Sequence, residues 1–127
     1  MTQNEKVLLL KDLCNRIPYR VKFVIDNGQN NVRILTGIDE ATPYEDWQMC
    51  AFAHGMSAIP IEDIKPYLFP MSSMTEEQNL EYLRTCRGGN AGVPTLASFE
   101  WCDKNHFDYR GLIPMGLAND ATGLNIY

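Results

Sequence analysis

Two cysteine–histidine pairs are the residues whose types and spacing would do chemistry. Cys50 and His54 lie four positions apart, and so do Cys102 and His106. On a helix such a pair shares one face, and two pairs brought together would complete a tetrahedral zinc site from thiolate sulfur and imidazole nitrogen. The spacing is not that of a standard zinc finger. The residues around Cys50 also read as strand, where positions four apart lie roughly 13 Å distant. Buried thiols and ordinary polar histidines explain these residues more simply, so no metal and no cofactor is expected. The same groups would make a nucleophile and its base, but that couple needs a third group to orient the imidazole. Four cysteines and two histidines allow too many pairings for the sequence to single one out.

Paired carboxylates are the other catalytic candidates. Glu45-Asp46, Glu62-Asp63 and Glu76-Glu77 would suit a hydrolase or a hard cation. Two of these pairs have local explanations, as turn and helix-cap residues. The run Arg87-Gly88-Gly89-Asn90-Ala91-Gly92 matches neither a Walker motif nor a dinucleotide fingerprint, and no apolar strand runs into it, so it reads as a connector. A non-enzymatic reading therefore leads, with a small hydrolase or a zinc-binding domain as remote alternatives.

Binding chemistry is better supplied. Tyr19, Tyr44, Trp47, Tyr67 and Phe69 fall within one stretch, although most aromatics of a small domain belong to its core. Trp47 beside Glu45 and Asp46 and Tyr67 between prolines are expected at the surface, with Tyr44 a further binding candidate. Arg110, between Tyr109 and Gly111, is the basic residue to join them; an internal ion pair is its alternative use. Eleven basic against sixteen acidic residues give a net charge of −5. That balance suits a protein or peptide partner and disfavours nucleic acid, whose phosphates need clustered Lys and Arg. A nucleic-acid-binding barrel is the alternative.

The elements that must position these groups change character along the chain. At 127 residues, one domain is expected, with residues 1–71 forming a helix plus barrel half and 72–127 a helical half and tail. Residues 4–17 repeat apolar positions at helical spacing (Val7, Leu10, Cys14, Ile17, widened by Leu9 and Leu13), with Thr2 or Asn4 as cap and Pro18 as stop. Lys6, Lys11, Asp12 and Arg16 are expected on or beside the opposite face. From Tyr19 the period becomes two, through a turn at Asp26-Asn27-Gly28 and a second strand over Asn31–Asp39, with a bulge at Gly37. Residues 46–53 are predicted as strand, although their alanines also permit helix. A short strand at Met56–Pro60, a 3₁₀ turn at Ile61–Ile64 and a strand at Lys65–Phe69, its prolines implying an edge, complete the ribbon. That order predicts an α+β fold with a small antiparallel SH3-like barrel, an irregular open sheet being the main alternative.

Capping boxes at Ser73-x-x-Glu76 and Thr75-x-x-Gln78 announce a helix to about Cys86, with Leu80 and Leu83 facing inward. Pro94 suits the first position of a helix to about Asn105 bearing Leu96, Phe99 and Cys102 on one side. Residues 105–118 read as a compact turn with room for one more short helix, and residues 119–127 as a loosely held tail. Lys11 and Asp12 directly follow the apolar run Val7–Leu10, so neither signal peptide nor membrane span is predicted, and a cytoplasmic protein is expected.

Three blocks carry a resemblance. Leu9-Leu10-Lys11-Asp12-Leu13-Cys14 with Pro18-Tyr19, Ile64-Lys65-Pro66-Tyr67-Leu68 with Met71-Ser72-Ser73-Met74-Thr75-Glu76-Glu77, and His106-Phe107-Asp108-Tyr109-Arg110-Gly111-Leu112-Ile113 with Gly116-Leu117-Ala118 span most of the chain. Together they resemble small uncharacterised proteins carried by phages and prophages of gut anaerobic bacteria. The resemblance implies a phage or mobile-element origin, hence a bacterial host cell and a phage or host partner. It supplies no reaction, ligand or site residue.

Overall fold

A computed structural model of the chain describes residues 1–25, 31–41, 48–55, 58–88 and 92–127. Helix α1 spans Gln3–Arg16 and begins in a reciprocal cap: the Glu5 amide donates to the Thr2 hydroxyl, and the Thr2 amide donates to the Glu5 carboxylate. Pro18 ends it through a 3₁₀ turn at Ile17–Tyr19, after which Arg20 takes a left-handed backbone (φ 60°). Strands β1 (Lys22–Ile25), β2 (Arg33–Ala41), β3 (Gln48–Ala53) and β4 (Ile59–Pro60) follow, then a 3₁₀ turn at Ile61–Asp63 and β5 (Ile64–Pro70). Strand wins over helix for Gln48–Ala53, and the β2–β3 register shifts between Leu35 and Gly37, where the glycine predicted a bulge. Helices α2 (Glu76–Thr85, capped by Thr75 and Gln78) and α3 (Leu96–Lys104) come next, followed by the two-residue strands β6 (Phe107–Asp108) and β7 (Asn119–Asp120).

The sheet is mixed and open. Its order is β4-β3-β2-β1-β5-β6, with β7 also on β5; β6 and β7 run parallel to β5, and the other pairs are antiparallel. β4 and β6 stand at opposite ends, so no SH3-like barrel closes. Nor is β5 an edge: it lies between β1 and the two short C-terminal strands. Because those partners contribute only two residues each, the ladder asks few amides of a strand that holds Pro66 and Pro70.

One core joins both parts of the chain. Leu9 and Leu13 of α1 pack with Phe23, Leu35, Ile64 and Leu68 of the sheet and with Leu112 and Leu117 beyond β6. The C-terminal residues are held rather than loose, because Ala121 is buried and its amide donates to the Leu68 carbonyl (2.8 Å). The Tyr127 hydroxyl accepts from the Lys22 amide (2.7 Å) and donates to the Tyr67 carbonyl (2.8 Å), hydrogen bonds that no apolar pattern announces. Leu80 faces solvent rather than the interior, since α2 packs chiefly on α3 and buries none of its residues. Pro94 precedes the cap residue Thr95 instead of opening α3, and residues 105–118 form turns around β6 with no further helix.

Candidate binding cleft

The buried stripe of α1 is Leu9, Asp12, Leu13 and Arg16, not the stripe centred on Val7, Leu10 and Cys14; Val7 and Cys14 are exposed. Asp12 and Arg16, expected near the solvent face, are both wholly buried. Their i, i+4 spacing allows a forked pair: Arg16 Nε donates to Asp12 Oδ2 (2.8 Å) and Nη2 to Oδ1 (3.1 Å). The same guanidinium donates to the Phe107 carbonyl (2.6 Å) and the Cys102 carbonyl (3.3 Å), so one side chain ties α1 to α3 and β6. Burial opposes its charge, but the Asp12 and Asp103 carboxylates outweigh that penalty and hold it protonated.

Arg110 approaches the same pair from the far side. Its Nε stands 3.3 Å from Asp12 Oδ1, its Nη2 donates to the Tyr109 hydroxyl (3.0 Å), and its guanidinium lies 4.9 Å from the Tyr109 ring centre. Asp108 shapes this segment by accepting from the Leu112 amide (2.8 Å) and the Ile113 amide (2.9 Å). Asp103 is 5% exposed, and its Oδ1 accepts no hydrogen bond, the nearest cation being Arg16 Nη2 at 3.9 Å. Burial raises its carboxyl above the usual range, offset in part by Arg16 and Tyr109.

Above this cluster opens a cleft of about 570 Å³. Pro18, Tyr19, Leu96 and Phe99 make its apolar walls; Asn15, Asp103, Tyr109, Arg110 and Glu100 supply the polar ones. Leu96 is 76% exposed and Phe99 39%, an unusual expense of apolar surface on one helix. Neither Asp12, Arg16 nor Asp103 was a site candidate by sequence. The signal available was the i, i+4 Asp12–Arg16 pair interleaved with Leu9 and Leu13.

Arg110 is thus both an ion-pair partner and a cleft residue. Tyr67 is half-buried on β5 and does not line the cleft, while Tyr44 and Trp47 lie outside the described residues. Cys50 is buried in β3 and His54 is exposed beyond its end; Cys102 is buried in α3. Among the described residues, no three His, Cys, Asp or Glu side chains are grouped to hold a metal ion. Burial pushes the Cys102 thiol up to about 11, which leaves it protonated and a weak nucleophile near neutrality.

His106 has a different use. It takes a left-handed backbone (φ 64°), its ring stacks on Tyr127 at 3.7 Å, and its Nδ1 has no hydrogen-bond partner. Burial, seconded by the charges of Arg16 and Lys22, pushes its pKa down to about 4. From pH 6.5 down to about 4 the unfolded chain takes up this proton and the folded chain does not, so stability falls as pH falls through that window. Allowing for partial exposure, the loss is about 1–2 kcal/mol. His106→Asn, which tolerates the same backbone, should flatten the difference between urea unfolding at pH 7 and at pH 4.5; an unchanged slope would assign it to other groups. Comparing the two proteins cancels the carboxylates, including Asp103, whose raised pKa acts in the opposite sense.

No protein-family model, curated protein or solved structure matches the chain. Among the described residues, no helix is long and apolar enough to cross a membrane.

Proposed function

We propose that the chain is a non-enzymatic accessory protein of phage or prophage origin that holds a segment of a phage or host protein in the cleft beside α3. The observation that carries this reading is the pairing of exposed Leu96 and Phe99 with the buried, donor-poor Asp103. An apolar residue next to a Lys or Arg would cover the first and supply the donor to the second. Charge points the same way. Among the described residues, Asp12 and Asp103 pair with Arg16 and Arg110, Glu100 adds a further carboxylate to the cleft wall, and the chain carries −5 overall, which favours a basic segment. The Tyr19 ring in the cleft wall is the aromatic surface left for a cation, since Tyr109 already lies under the guanidiniums of Arg110 and Arg16. Asp12, Pro18, Tyr19, Tyr109 and Arg110, all from blocks that carry the phage resemblance, converge on this cleft and its floor.

Selection of random peptides displayed against the protein tests the reading. The expected winners carry Lys or Arg beside an aliphatic or aromatic residue, and Leu96→Ser or Asp103→Asn should weaken them roughly tenfold or more. Leu96 is exposed enough that its replacement leaves the fold intact. Peptides that bind both variants as well as the parent would place the interaction elsewhere and overturn the proposal.

A further inference from the structure

A second cavity, of about 360 Å³, opens where the chain enters β1 and meets β2 and the end of β3. Arg20, Arg33 and His54 line it, over the apolar side chains of Val32, Ile34 and Ala53. Acids outnumber bases in this chain by sixteen to eleven, yet among the described residues no acid pairs with Arg20 or Arg33. Among the described residues, neither the two guanidiniums nor the His54 ring has a hydrogen-bond or ion-pair partner. Arg20 adds a second anomaly. It occupies a left-handed position (φ 60°) that glycine adopts without strain, so a cation stands where the backbone alone would favour another residue.

We infer that this cavity binds a small phosphate-bearing ligand. Two guanidiniums without a partner among the described residues match a phosphate, which accepts forked hydrogen bonds from arginine, and the apolar floor takes the organic part. A nucleic-acid strand fits less well. It needs a continuous basic track, and the next cation, Lys22, is already engaged by the Ile126 carbonyl and the Tyr127 ring. The net charge of −5 also repels a polyanion more than a single phosphate. This site shares no lining residue with the cleft beside α3 and stands independently of it.

Four probes separate the sources: inorganic phosphate, a nucleoside monophosphate, the same nucleoside without phosphate, and a single-stranded oligonucleotide. Each is titrated by NMR into the wild-type protein, Arg20→Gly and Arg33→Thr. Phosphate or nucleotide should shift the amides of Arg20, Arg33, Ile34 and His54 while the nucleoside does not. The ratio of the two affinities tells free phosphate from a nucleotide. Losing either guanidinium should weaken binding roughly tenfold or more. Arg20→Gly should do so while its thermal midpoint stays equal to or above wild type, since glycine relaxes the left-handed position; this keeps a folding defect distinct from lost binding. Failure of phosphate and nucleotide to bind, or binding indifferent to Arg20, overturns the inference. So does binding of the oligonucleotide alone with a steep salt dependence, which would give this face to nucleic acid.

Discussion

Arg16→Met is expected to destabilise the protein by about 3–5 kcal/mol in urea unfolding, the range for breaking a buried ion pair from one side. Asp12 is wholly buried, and its forked partner would be gone. Arg110 Nε, at 3.3 Å, would be its remaining cation. Two buried carbonyls, of Cys102 and Phe107, would lose a donor at the same time. The double variant Asp12→Leu/Arg16→Met should recover the part of the loss due to the orphaned Asp12 charge, because Arg110, 19% exposed, can turn to water. The Cys102 and Phe107 carbonyls and the Asp103 carboxylate still lack Arg16. A single variant within about 1 kcal/mol of wild type would mean that the pair is solvated in solution and fastens nothing.

Phe107→Ala should cost about as much, 3–5 kcal/mol, through the cavity it leaves. Its ring is 1% exposed, stacks on Trp101 at 5.4 Å with an 8° tilt, and meets Phe69 at 5.8 Å. Its backbone pairs with β5 in register with Phe69 and feeds its carbonyl to Arg16. Truncation therefore removes packing between α3 and the sheet where Arg16 anchors. The near-ultraviolet circular dichroism of Trp101 reports it, and a loss below about 1 kcal/mol would show that the site collapses without penalty. These two variants touch the same cluster, so their effects should be non-additive when combined.

The elements were largely legible because each carries a local signature. Thr2 and Thr75 announce their helices by capping boxes, Pro18 ends α1, and Gly37 marks its bulge. What the pattern could not express is partnership between distant segments. The mixed order of the open sheet, the interior place of β5 and the anchoring of residues 119–127 depend on two-residue parallel strands and on single hydrogen bonds such as those of Tyr127. Such contacts leave no periodicity behind. The cleft was legible in one residue, Arg110. Asp12 and Arg16 were passed over because charged residues are rarely buried unless paired, and their pairing is a property of the folded helix. Leu96 and Phe99 fell on one side of α3 as their spacing required, but that side turned out to face the cleft rather than the core.

Arg16 fastens the first helix to α3 and β6 and so builds the floor of the cleft. Hydrogen exchange in Arg16→Lys, which keeps the charge but loses the fork, tests this most directly. The amides of Leu112 and Ile113, bonded to Asp108, and of Phe69, bonded to the His106 carbonyl, should exchange roughly tenfold faster or more, while the β2–β3 ladder keeps its protection. Equal acceleration throughout the sheet, or none near β6, would contradict it.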